Sequence, residues 1–188
     1  MGAVADLFGT LRPRSVLVLG GARSGKSRLA ERLSLDLAGD APLTYIATAE
    51  AFDDEMKARI AEHRARRDGR WTTVDAPLEL PAALGRCGGE VALVDCLTLW
   101  LSNLMLAERD WRTAAGDLMA ALAARQGPTV LVSNETGLGI VPDTPLGRRF
   151  RDAQGMLNQQ VAAAVDGVVF VAAGLPLVMK PAGGARPC

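Results

Sequence analysis

Apolar residues along this chain gather into short unbroken runs, separated by longer stretches in which apolar and polar positions recur at helical spacing. The short runs occupy 16–19, 43–47, 71–74, 91–94, 129–133 and 168–172. Each is a strand candidate, and 15–19 reads as a buried strand. Helical patterns fill the spaces: 27–37, 53–66, 78–85, a run after Cys96, 113–125 and 145–165. This alternation predicts an α/β fold, a mostly parallel sheet with helices on both faces. The last run, 175–180, follows Gly174 too closely for a crossover and is expected as an antiparallel C-terminal edge strand. Residues 15–180 then make one domain, with 1–14 as an N-terminal extension and 181–188 as a flexible tail. Both ends are expected to be loosely ordered. In open sheets of this kind ligands bind beyond the carboxyl ends of the strands. Attention therefore falls on the residue or loop after each strand, including Thr48, Asp75, Asp95 and Asn134-Glu135.

The first of these turns carries the strongest chemical signal. Gly20, Gly21, Ala22, Arg23, Ser24, Gly25, Lys26 and Ser27 fit G-x-x-x-x-G-K-[ST], between a strand and a helix as that phosphate-binding loop requires. Glycines let backbone N–H groups close around phosphate oxygens, and the helix N-terminus adds a favourable dipole. Lys26 is placed to reach the β- and γ-phosphates, and the Ser27 hydroxyl to ligate Mg²⁺. The other lysines are Lys57 and Lys180 in a chain that otherwise takes its positive charge from arginine. The motif predicts the three-layer fold of P-loop nucleoside triphosphatases.

Other acids, bases and loops have two readings each. Asp95 ends a hydrophobic strand; it either holds Mg²⁺ through water or caps the helix that follows. With a phosphate loop in the same chain the metal reading is preferred. Asp53-Asp54-Glu55 opens a predicted helix, where acids complement the dipole, so no metal is assigned to it. His63, the one histidine, falls on the stripe of Phe52, Met56 and Ile60. By pattern alone it is a packed structural residue; the functional alternative is a nucleophile aimed at bound phosphate. Arg64, Arg66 and Arg67 beside it form either a solvated face or a phosphate grip. The glycine-rich stretch from Ser133 to Pro142 follows a strand and is expected to line a substrate site.

Composition narrows the partners. Apolar residues make up 49% and the formal net charge is zero, which gives no bulk attraction to nucleic acid or anionic lipid. No apolar run approaches the ~18 residues of a membrane span. Cys87, Cys96 and Cys188 lack metal-type spacing and read as reduced thiols, and no basic region precedes an apolar segment at the N-terminus. A cytoplasmic protein is expected.

The ordered set of motifs resembles one family. It comprises the phosphate loop, Tyr45-Ile46-Ala47-Thr48-Ala49, Asp53-Asp54-Glu55-Met56 through His63-Arg64, and Asp95-Cys96-Leu97-Thr98. Ser133-Asn134-Glu135 through Pro142, Arg149-Phe150-Arg151-Asp152 and Asn158-Gln159 complete it. The chain is similar in these segments to the bifunctional adenosylcobinamide kinase and adenosylcobinamide-phosphate guanylyltransferase of cobalamin biosynthesis, from about Ser15 to Lys180. Thr136 stands where that family usually has an apolar residue. The resemblance implies phosphorylation of the aminopropanol hydroxyl of adenosylcobinamide by a nucleoside triphosphate, ATP or GTP. Transfer of GMP from GTP through a guanylylated histidine follows, giving adenosylcobinamide-GDP. It puts that histidine at His63, which reverses the pattern-based reading. It also implies nucleotide contacts at Ala47, Thr48, Ala49, Arg64, Ala65, Arg66, Arg67, Asp75 and Asp95, with Mg²⁺ as cofactor at Ser27 and Asp95. A homotrimer is likewise implied. The runner-up is a single-function small-molecule kinase with a structural histidine. One tension accompanies the two-step reading. The phosphate loop presents the γ-phosphorus, whereas His63 must reach the α-phosphorus, so either its helix moves or the nucleotide takes two poses.

Overall fold

The apolar runs pair into one seven-stranded sheet in the computed structural model, which describes residues 2–50 and 67–183. The strands are β1 (Ser15–Gly20), β2 (Leu43–Ala47), β3 (Trp71–Asp75), β4 (Val91–Asp95), β5 (Thr129–Asn134), β6 (Gly167–Ala172) and β7 (Leu175–Lys180). Their order across the sheet is β3-β2-β4-β5-β1-β6-β7. Every neighbouring pair is parallel except β6 with β7, which is antiparallel as the short connection requires. Ala173 and Gly174 both have positive φ, 51° and 78°, the backbone of a two-residue hairpin turn whose twist matches the strands.

Strand residues alternate between two cores, so the sheet is covered on both faces. Leu17, Ile46, Val94 and Leu131 face α3 (Leu80–Arg86), α4 (Leu97–Leu106), α5 (Trp111–Ala124) and α6 (Pro145–Ala164), packing with Trp100, Leu118 and Leu157. Val18, Tyr45, Leu93 and Val132 face α1 (Ala3–Phe8) and α2 (Lys26–Ala38), packing with Phe8 and Leu33. The indole N–H of Trp100, the largest fully buried side chain, donates to Leu78 O at 2.8 Å, so its burial leaves no orphan donor. Two helix starts are set by side chains. Asp110 accepts from the backbone N–H of Arg112, and Thr144 from that of Gly147.

The N-terminal extension is not loose. Residues 3–8 form α1, with Ala3, Val4 and Phe8 buried, and the Asp36 carboxylate accepts from the N–H of Val4 at 2.8 Å. Phe8 occupies space that a side chain at Gly167 would need, since a Cβ there would lie 2.8 Å from the ring. Six residues make no stable helix alone, and their apolar pattern is too brief to read. Tertiary packing on α2 makes the helix. Ala182 in the tail is buried as well. The flexible-tail expectation for 184–188, and the helix expected over 53–66 with His63, Arg64, Ala65 and Arg66, lie outside the described residues.

Candidate active site

The carboxyl ends of β1, β5 and β4 lie side by side at one edge of the sheet. β1 runs into the phosphate loop, whose backbone takes a path few residues tolerate: Arg23 and Gly25 have φ of 56° and 97°. Gly25 is the residue before α2, so its left-handed turn aims the helix N-terminus back over the strand ends. Gly20 has no room for a side chain, because a Cβ would fall 2.5 Å from Val171 O and 2.6 Å from Ser24 Oγ. The loop is braced from both neighbouring strands. Glu135 N, just past β5, donates to Gly20 O at 3.1 Å, and Gly174 N, in the β6–β7 turn, donates to Ser24 O at 2.9 Å.

Lys26 opens α2, half-buried, and donates from Nζ to Gly21 O at 3.0 Å. Burial lowers its pKa below the ordinary 10.5, while Cys96 and Asp95 pull the other way. A cation short of water favours an anionic partner. Ser27, the next residue, is half-buried in the first turn. Asp95 ends β4 on the α2 side of the sheet, the side of Leu93. It accepts a hydrogen bond from the Tyr45 hydroxyl at 3.2 Å. The N-cap residue of α4 is Cys96, and Asp95 stands one residue before it.

Tyr45 links Asp95 to Arg67. Its ring lies under the Arg67 guanidinium at 3.7 Å, a cation–π contact, and Arg67 Nη1 also donates to Thr73 Oγ1 at 3.2 Å. Burial, then the charge of Asp95, pushes its phenol pKa well above the ordinary 10.0. Burial likewise pushes the Cys96 thiol up to about 11, so it is neutral near pH 7 and unsuited to nucleophilic work. Cys87 is a half-buried free thiol. Cys188 lies outside the described residues.

Thr48 has its polar groups fully engaged by the protein. Its hydroxyl donates to Cys96 O at 2.7 Å and accepts from Cys96 N at 2.8 Å. Its N–H donates to Asp95 O at 3.3 Å, and Asn103 Nδ2 donates to its carbonyl at 2.8 Å. The residue pins the end of β2 to the turn after Asp95. Ala47 ends β2 with its carbonyl accepting from Ala76 N at 2.7 Å, Ala49 follows half-buried, and Asp75 is exposed at the end of β3. Ala22, Arg23 and Gly25 are exposed, and Gly21 is partly so. The structure thus brings Lys26 near Asp95 and sets Arg67 over the tyrosine bonded to that acid.

The sequence motifs contain Tyr45, Thr98 and Asn158 without a stated role, Gly174 only as a turn, and Gln154 not at all. Each acts through a partner distant in the chain. Ser133, Gln154 and Asn158 form a buried polar cluster beside β5, and Thr98 accepts from Asn134 N at 2.8 Å. Glu135 Oε1 accepts from the N–H groups of Gly137 and, at 3.1 Å, Leu138, which shapes the loop carrying the exposed Leu138 and Ile140.

Sequence comparisons with known proteins agree on one family. Residues 16–179 match the family described as cobinamide kinase / cobinamide phosphate guanyltransferase. A bifunctional adenosylcobalamin biosynthesis protein, CobP, of Pseudomonas aeruginosa is 50% identical over 173 residues, covering 87% of this chain and 96% of the relative. The protein of the same description, CobU, of Salmonella typhimurium is 40% identical over 183 residues, covering 88% and 99%. Among solved structures, a KaiC-like protein of Pyrococcus horikoshii superposes with a TM-score of 0.59 at 14% identity. That match covers all of this chain and 88% of the other, and it speaks to the fold alone.

Proposed function

Since the chain belongs to the cobinamide kinase / cobinamide phosphate guanyltransferase family, we propose that the single phosphate-binding edge described above serves two successive steps on one corrinoid in adenosylcobalamin biosynthesis. The protein is an enzyme, a kinase and a guanylyltransferase. In the first step the aminopropanol hydroxyl of adenosylcobinamide attacks the γ-phosphorus of ATP or GTP, and the nucleoside diphosphate leaves. In the second, the His63 imidazole attacks the α-phosphorus of GTP and pyrophosphate leaves. A phosphate oxygen of adenosylcobinamide phosphate then attacks the guanylyl phosphorus, the imidazole departs, and adenosylcobinamide-GDP forms. Dividing the transfer at a protein nucleophile replaces one hard displacement with two easier ones.

The observation that carries this reading is the half-buried, desolvated Lys26 beside Asp95 at the mouth of a braced phosphate loop. A dehydrated ammonium and a helix N-terminus stabilise charge on phosphoryl oxygens without reorganising during reaction. Ser27 and Asp95 offer hard oxygen donors, which suit a Mg²⁺ ion held mainly by substrate phosphates. Such an ion, when bound, neutralises phosphate charge as the transferring group loosens. The segment bearing His63 supports the second step by its anchors. It leaves from Thr48, bonded to the turn after Asp95, and returns at Arg67, stacked over the tyrosine bonded to Asp95. Both ends therefore flank the same acid, and Arg64, Ala65, Arg66 and Arg67 are assigned to the nucleotide phosphates together with Ala47, Thr48, Ala49 and Asp75. None of the described helices is long and apolar enough to cross a membrane. A cytoplasmic homotrimer is part of this proposal, and sedimentation of the purified protein tests the trimer.

Incubation with Mg²⁺ and GTP labelled at the α or the γ position, followed by intact-protein mass measurement, tests the covalent step. The expected adduct is GMP, carrying the α label and none of the γ label. Its bond to imidazole should break in acid and survive base, unlike a phosphoester on serine or threonine. An unmodified protein that still forms adenosylcobinamide-GDP would mean direct transfer.

A further inference from the structure

α6 departs from the apolar face expected of a packed helix at two adjacent inward positions. Ala153, Leu157 and Val161 pack into the core, but Gln154 and Asn158, also buried, stand one turn apart beside them. These amides meet Ser133 on β5. Ser133 Oγ donates to Asn158 Oδ1 at 2.7 Å, and Gln154 Nε2 donates to both Ser133 Oγ and Asn158 Oδ1 at 2.9 Å. Asn158 Nδ2 then donates to the backbone carbonyl of Asn134 at 3.0 Å. From the other side, Thr98 Oγ1 accepts the N–H of Asn134 at 2.8 Å. Side chains thus hold both backbone polar groups of Asn134.

As a stabilising device this cluster is a poor choice. Apolar side chains in its place would bury no donors or acceptors, and Gln154 Oε1 is enclosed without a hydrogen-bond partner. Local rules that fail in a core mark places where something other than stability is served. The location indicates what that is. Asn134 pairs in register with Gly20, the first residue of the phosphate loop, and the next N–H, of Glu135, donates to Gly20 O. β5 also lies between β1, which feeds that loop, and β4, which ends in Asp95.

We propose that Asn158 and Gln154 are positioning residues: with Ser133 and Thr98 they clamp the Asn134 peptide and thereby fix the phosphate loop against Asp95 in its nucleotide-binding geometry. Asn158 acts on the peptide directly and Gln154 acts by orienting Asn158, so replacing Asn158 has the larger effect. The inference rests on the phosphate-transfer reading of this site.

Asn158→Leu, Gln154→Leu and Ser133→Ala are compared with the unaltered protein by thermal melting, by calorimetric affinity for a Mg²⁺-bound β,γ-imido GTP analogue, and by turnover at saturating substrates. The expected result is folded protein whose melting midpoint falls, since each single substitution leaves buried partners in the cluster unpaired. Analogue affinity or saturating turnover should fall on the order of tenfold in Asn158→Leu and less in Gln154→Leu, as expected for small displacements of a reactive centre. Ser133→Ala keeps the assay decisive if a leucine variant does not fold. A folded variant set with both quantities within about twofold of the original overturns the proposal, because a merely structural cluster would shift the melt alone. If the unaltered protein itself fails to turn over adenosylcobinamide, the function assigned above is wrong, and analogue affinity still judges the clamp.

Discussion

Tyr45 shows how one side chain can report on the whole site. Its raised pKa means that, above the ordinary tyrosine value of 10.0, the unfolded chain loses a proton that the folded protein keeps. Fewer bound protons in the unfolded state make stability fall as pH rises in that window, by up to about 1.4 kcal/mol per pH unit for one group. Below the window the group contributes no pH dependence. Tyr45→Phe should remove this slope, and it should cost about 1–2 kcal/mol at neutral pH by leaving Asp95 without its phenolic donor. Urea unfolding from about pH 9 to 11 reads both; identical alkaline slopes in the two proteins would clear the phenol. The pKa shift at Lys26 runs the other way. Its lowered pKa brings deprotonation closer to neutrality, so nucleotide affinity should weaken with rising pH earlier than an exposed lysine would dictate. Lys26→Ala should lower turnover in both reactions by roughly 10²–10³. Kinase turnover near the original in that variant would exclude the phosphate loop from catalysis.

At the level of elements, the strands and most helices were legible because each is a contiguous pattern. Burial on both faces writes an unbroken apolar run, and amphipathic packing writes a 3.6-residue period. The phosphate loop was legible for the same reason: its chemistry is local. What stayed hidden was long-range. No local feature marks Gly174 as the donor to Ser24, or Thr48 as the clasp on Cys96, since each partner is remote in sequence. α1 was missed because six residues carry too little pattern. Arg125 is another such case. It is buried after α5, and its guanidinium donates to the carbonyls of Leu84, Cys87, Glu90 and Pro128, joining the connections that lead into β4 and β5. In sequence it is one arginine among many. Arg125→Met should destabilise the fold by about 2–4 kcal/mol, since several carbonyls lose a charged donor together. These groups lie at the amino ends of the strands, so turnover per folded molecule should be unchanged. A denaturation curve matching the original protein would show that water replaces the guanidinium freely.

For the molecule as a whole, the question is how one phosphate-binding edge serves displacement at two different phosphorus atoms. The sheet with its braced loop is the frame proposed above to hold the terminal phosphates. The segment carrying His63 is attached to that frame at Thr48 and Arg67, both next to Asp95 by way of Cys96 and Tyr45. Kinase chemistry at the γ-phosphorus asks for positioning and charge stabilisation, the roles proposed above for Lys26, Ser27 and Asp95, and needs no protein nucleophile. Guanylyl transfer asks for the imidazole as well. The two activities should therefore separate at His63. His63→Asn, which keeps a polar side chain of modest size, should abolish formation of adenosylcobinamide-GDP while keeping kinase turnover within about tenfold of the original. If adenosylcobinamide-GDP still forms at the original rate, transfer is direct and His63 is a packed structural residue, as its place on the Met56 and Ile60 stripe suggests by pattern alone. If both activities disappear while the melting transition stays intact, His63 orders the nucleotide for both steps, and the division of labour between frame and segment is wrong.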